Sequence, residues 1–141
     1  MKAYIGDANT YTEQNFHQDV GDLRIRLSEI RETLRNDAEL TCQTLGGQDL
    51  EVQGGLLEQR DLAKKSNGLM IKFANEVMVK AVRSAGEVPP CDVVIVGFGS
   101  LGRGEATPYS DLEYLFLIRD PSHKSYFEQL AVMSYFLIGA L

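Results

Sequence analysis

The sequence predicts an α+β domain, with helices packed on a small sheet and an amphipathic helical segment ahead of it. Three observations predict it. Phe16, Val20, Leu23, Leu27, Ile30 and Leu34 recur at alternating steps of four and three, the stripe of one helix face. Val93-Val94-Ile95-Val96 is a continuous β-branched run that leads into Gly97, Gly99, Gly102 and Gly104. Such a run is expected of a strand covered on both faces. Leu112, Tyr114, Phe116 and Ile118 then alternate with Asp111, Glu113, Leu115 and Leu117, the period of a second strand.

Taken in order, residues 1–9 read as an irregular arm. Thr10-Tyr11-Thr12-Glu13 fits a capping box, with Thr10 and Glu13 as the reciprocal pair. The apolar stripe beyond it either packs on its own domain or meets another chain as a helical hairpin or coiled coil, self-association included. Arg26 with Glu29 and Glu32 with Arg35 are spaced for ion pairs. The helix runs on to Leu45, where Gly46-Gly47 offers a stop, or breaks near Asn36-Asp37. Residues 1–47 thus form an N-terminal helical segment. Gly46 to Gly55 carries four glycines, so residues 48–65 read as a linker or short helix. Residues 66–141 form the core.

Within that core, Ser66 or Asn67 is placed to cap a helix. Its apolar face is Leu69, Met70, Phe73, Ala74, Val77, Met78, Ala81 and Val82. Gly86 ends it, and Pro89-Pro90 turns the chain into the first strand. After the second strand, Arg119-Asp120-Pro121-Ser122 is a turn, with Ser122 as the cap of a last helix. Tyr126, Phe127, Leu130, Met133, Leu137 and Ile138 are its inner face.

Composition narrows the functional classes. The 141 residues are 44% hydrophobic, enough for one modest core. The net charge of −6 and the absence of any Lys/Arg run argue against a nucleic-acid-binding surface. Cys42 and Cys91 have no C-x-x-C spacing and read as reduced thiols of an intracellular, cytoplasmic protein, a disulfide being the alternative. His17 and His123 lack metal-ligand spacing. The start, MKAYIGDANTYTEQ, has no apolar signal segment. The longest apolar stretch, Ala131 to Leu141, is eleven residues and too short to span a bilayer, so no membrane partner is expected. It reaches the C-terminus without a polar finish. The chain therefore reads as a piece of a longer protein whose remainder covers this surface.

The chemistry concentrates between Asp92 and Ile118. Asp111 and Glu113 stand two apart, so a strand presents both on one face. Adjacent acids repel unless a cation compensates. Two carboxylates on one face suit Mg²⁺ or Mn²⁺, and the alternative is a strand edge with exposed acids. The glycine turn offers backbone N–H groups, and Ser100 a hydroxyl, to phosphates.

Gly99-Ser100, a spacer of about ten residues, then Asp111-Leu112-Glu113 resembles the signature of the DNA polymerase β-type nucleotidyltransferase superfamily. The fuller string GSLGRGEATPYSDLE resembles one branch, the nucleotidyltransferase domain at the N-terminus of protein-PII uridylyltransferases and related proteins. The resemblance covers Val93 to Ile118. It implies the opening half of a core in which helices pack on a small mixed sheet. It further implies that Gly99 and Ser100 bind a nucleoside triphosphate and that Asp111 and Glu113 hold divalent metal. A nucleoside monophosphate then passes to an acceptor hydroxyl on a protein or small molecule. Arg103 either assists at the phosphates or pairs with Glu105. The family's third carboxylate, on a later strand, has no counterpart here, and the second acid is Glu rather than the commoner Asp. Truncation, an acid from another chain, or a degenerate non-catalytic module for nucleotide binding or protein interaction would each account for this.

Gly97-Phe98-Gly99-Ser100-Leu101-Gly102 also matches the dinucleotide fingerprint. That reading fails downstream of the glycines. Arg103 to Ser110 holds another glycine and Pro108, has too few apolar residues for a crossover helix, and is too short for one.

Overall fold

The computed structural model describes residues 11–45 and 52–141. Helix α1 spans Glu13–Leu45 and α2 spans Val52–Ala85. Strand β1 (Val93–Gly97), a one-turn helix α3 (Gly99–Arg103) and strand β2 (Tyr114–Ile118) come next. A 3-10 turn, Pro121–His123, leads into α4, Lys124–Gly139. The architecture is α+β, as expected. The mixed sheet implied by the resemblance is, among the described residues, an antiparallel pair, β1 with β2. Phe98 N–H donates to the Glu113 carbonyl (2.8 Å) and Arg119 N–H to that of Asp92 (3.1 Å), a register that sets Ile95 opposite Phe116.

The described residues divide into two compact units. One holds residues 11–24, 75–95 and 116–141, the other 25–45, 52–74 and 96–115. In the first unit, Val20 and Leu23 of α1, Val77, Met78 and Ala81 of α2, and Phe127, Leu130 and Leu137 of α4 are buried. Each large side chain of this set contributes about 1.5–3 kcal/mol by leaving water. These are residues of the stripes read from periodicity. Ser134, also buried, returns its hydroxyl to the Ala131 carbonyl at 2.8 Å. Val94 and Ile95 are 61% and 42% exposed, so β1 is not covered on both faces. An apolar run without alternation does not distinguish a half-covered strand from a buried one.

Asp19 is fully buried in this unit. Its Oδ1 accepts from Lys80 Nζ at 2.8 Å and from an Arg83 guanidinium nitrogen at 2.7 Å. Its Oδ2 accepts from the Tyr11 hydroxyl at 2.8 Å. Burial, and then this bond, push the Tyr11 phenol up to about 12. Asp22 joins through Lys80 at 2.9 Å, and that bond, with a second from Gln18, holds its carboxyl below its usual 3.8. A depressed carboxyl stabilises the fold above its unfolded pKa, and the contribution is lost as pH falls through the folded value. Urea denaturation should therefore show Asp22→Asn less stable than wild type at pH 7. The difference should close as pH falls below 3.8.

The structure corrects the caps expected at Ser66-Asn67 and Ser122, and α1 runs on to Leu45, one of the two expected outcomes. Thr10 lies outside the described residues, and the cap of α1 is Thr12. Its hydroxyl accepts from Asn15 N–H (3.2 Å), while the Asn15 side chain accepts from Thr12 N–H (2.9 Å). This is the reciprocal logic of a capping box, shifted two residues. The α1 helix passes Asn36-Asp37 without a break. The α2 helix is continuous through Leu56–Lys65 and through Ser66-Asn67, which cap nothing. Packing of a long amphipathic face outweighs local breakers. At the last turn, Asp120 rather than Ser122 is the capping side chain, accepting from Ser122 N–H at 2.9 Å ahead of Pro121–His123. Gly86, with φ of 72°, ends α2 as expected. Cys42 and Cys91 are both free thiols.

Candidate active site

All five candidate residues lie in the second unit, whose core is Leu27, Ile30, Met70, Phe73 and Ala106. The site begins where β1 stops. Phe98 is extended (φ −120°, ψ −173°), and Gly99 takes φ of +54°, a region that favours glycine. The expected open turn is instead the one-turn helix α3. Its end is closed by two bonds, Gly104 N–H to the Leu101 carbonyl (3.3 Å) and Glu105 N–H to that of Ser100 (2.8 Å). This is a Schellman closure, which needs a left-handed residue, and Gly104 supplies it with φ of 77°.

Glu113 lies against this turn. A Cβ added to Gly99 would stand 3.1 Å from the Glu113 carboxyl carbon and closer still to its Oε2. The Glu113 carboxylate therefore fills the space that a side chain at 99 would take. The tertiary structure thus brings Glu113 against the Gly-Ser turn.

The loop between them is pinned from below. The Ser66 hydroxyl, on α2, donates to the Ala106 carbonyl at 2.7 Å, and Asn67 Oδ1 accepts from Ala106 N–H at 3.2 Å. Pro108 sits second in a turn closed by Ser110 N–H on the Thr107 carbonyl (3.0 Å). Arg31, on α1, donates to the Pro108 carbonyl at 3.2 Å. Sequence reasoning missed these three anchors. A Ser-Asn pair inside a helical stretch looks like a cap, and no spacing links it to a residue forty positions away.

From this loop the chain emerges as Asp111-Leu112-Glu113. Asp111 and Glu113 are exposed and Leu112 is turned inward, so the predicted alternation holds. The assigned strand nevertheless begins only at Tyr114. By the register of the sheet, the residue opposite Asp111 is Ser100, which has already left the ladder for α3. Arg103 Nε donates to Glu105 at 2.9 Å, and both side chains are about two-thirds exposed.

Carboxylate oxygens are the donors Mg²⁺ prefers, and that ion commonly uses one or two carboxylates together with phosphate and water. The Asp111/Glu113 pair fits such a mode. Among the described residues, no group of three or more His, Cys, Asp or Glu side chains is placed to hold a metal. Nor is any helix among them long and apolar enough to cross a membrane.

A strand, a glycine-rich helical turn and a pair of acids just ahead of the returning strand are the arrangement of a nucleotidyltransferase-like domain. The sequence matches the family described as "Putative nucleotidyltransferase DUF294" over residues 50–138, more than half of the chain, and the protein belongs to that family. Comparison with curated proteins returned no match, and comparison with solved structures returned none.

Proposed function

We propose that residues 96–115 form the donor site of a metal-dependent nucleotidyl transfer. The reaction would move a nucleoside monophosphate from a nucleoside triphosphate to an acceptor hydroxyl on a protein or small molecule. The observation that most supports this reading is the Glu113 carboxylate lying over Gly99, which unites both halves of the motif. Asp111 and Glu113 would hold Mg²⁺ or Mn²⁺. A bound divalent ion supplies charge neutralisation at the triphosphate.

The chain's own contribution is positioning. Gly99 and Ser100 would receive phosphate oxygens through backbone N–H groups and the Ser100 hydroxyl, beside the Glu113 carboxylate. Arg103, held by an exposed pair with Glu105, is free to exchange that partner for phosphate, since surface pairs are worth about 0–1 kcal/mol. The loop anchored by Ser66, Asn67 and Arg31 keeps Asp111 in place, so the acceptor oxygen meets the α-phosphorus as pyrophosphate leaves. The lack of a third carboxylate beside the pair, among the described residues, favours a second reading, a domain that binds nucleotide without transferring it.

Calorimetric titration of ATP and UTP, each with Mg²⁺ or Mn²⁺, tests the site. Wild type should bind only with metal, and Asp111→Ala should weaken binding at least tenfold, about 1.4 kcal/mol. A folded wild type that binds neither nucleotide with metal would overturn the proposal. Pyrophosphate release with an acceptor separates transfer from binding alone.

A further inference from the structure

The second unit contains a cleft that the nucleotidyltransferase reading does not use. It encloses about 520 Å³, within the range of small-molecule sites, and is open on one side. Leu34, Leu62, Ala63 and Pro108 give it an apolar wall. Arg31 and Arg35, one helical turn apart on α1, stand on the same side. Among the described residues, no Asp or Glu lines it.

Among the described residues, no carboxylate pairs with either guanidinium group. Glu32, expected to pair with Arg35, forms no ion pair with it, and Arg35 faces the cleft instead. Arg31 donates one bond to the Pro108 carbonyl and lies 4.9 Å from the centre of the Tyr109 ring. Its Nε is buried without a hydrogen-bond partner among the described residues. A buried donor left unpaired is costly, and such groups are normally satisfied. Tyr109, 75% exposed, stands at the mouth as an aromatic surface already stacked on a cation. Apolar walls, two guanidinium groups with no carboxylate partner among the described residues, and an exposed aromatic ring together specify one ligand chemistry.

We propose that this cleft binds a small organic anion, with a flat apolar body against Leu34, Leu62, Ala63 and Pro108. Its carboxylate, sulfonate or phosphate head pairs with Arg31 and Arg35. Guanidinium groups suit such heads because they donate in a planar fork. Neither Asp111 nor Glu113 lines the cleft, and binding there requires neither nucleotide nor metal.

Fluorescence titration of the full chain with 8-anilinonaphthalene-1-sulfonate tests this, beside its uncharged analogue N-phenyl-1-naphthylamine. Wild type should bind the sulfonate at one saturable site, at least tenfold tighter than the neutral compound. Arg35→Glu should weaken the sulfonate at least tenfold and leave the neutral compound unchanged. Ala63→Trp, which fills the cleft from an exposed helical position, should abolish both. Val132→Ser, at an exposed apolar position of α4 outside the cleft, should bind as wild type does. Both cleft variants change exposed residues, and circular dichroism confirms their folding. Equal affinity for the two probes, sulfonate binding unchanged in folded Arg35→Glu or Ala63→Trp, or loss in Val132→Ser would each overturn the proposal.

Discussion

Replacing Asp19 by alanine is expected to lower the unfolding free energy by about 3–5 kcal/mol, the range for breaking a buried ion pair from one side. Three donors converge on this fully buried carboxylate, and two of them are cations. Removing it leaves Lys80, whose side chain is only 17% exposed, with Asp22 as its remaining anion. Arg83, 57% exposed, is rehydrated, which places the expected loss toward the lower end of the range. Asp19→Asn keeps the shape and one acceptor oxygen but loses the charge, so it should fall between wild type and alanine. Equilibrium urea denaturation at pH 7 measures both. A loss under about 1 kcal/mol for alanine, the scale of an exposed pair, would mean that packing alone holds this part of α1 to α2.

Gly102→Ala is the second large effect, expected at about 1–3 kcal/mol, the usual cost of overpacking a tight contact. A Cβ there would stand 2.6 Å from the Gly97 carbonyl oxygen. That oxygen is backbone at the end of β1, so α3 must withdraw from the strand. Gly99→Ala makes an instructive contrast. Its Cβ meets the far end of the Glu113 side chain, which can swing away. The cost in stability is then the left-handed backbone, about 1–2 kcal/mol. The cost in nucleotide binding should be larger, because the carboxylate is expelled from the turn. In a Glu113→Ala background, Gly99→Ala should retain its stability cost and add little further loss of binding. If Gly102→Ala proves as stable as wild type, the close approach of α3 to β1 is not required.

The Gly97/Gly102 contact also explains why the dinucleotide fingerprint overlaps this motif. In both folds a glycine lets a helix start close against the strand before it. The difference lies downstream, where the chain turns back as an antiparallel neighbour instead of crossing over through a helix.

Periodicity alone determined which faces of α1, α2 and α4 are buried, since an apolar stripe must leave water whatever it packs against. It also determined the alternation from Asp111 to Ile118, and local glycine chemistry marked the end of α2. The spacing of Gly99-Ser100 and Asp111-Leu112-Glu113 carried the resemblance that the family match supports at the level of a nucleotidyltransferase domain. Only the tertiary structure decided that Glu113 lies over Gly99, that Ser66, Asn67 and Arg31 hold the loop, and that α2 runs on through its apparent breaks. The reason is physical. Burial of a periodic face is set by neighbours three or four residues away, which the sequence displays. A hydrogen bond between residues 66 and 106 depends on where two distant segments are brought together, and no local pattern encodes that distance.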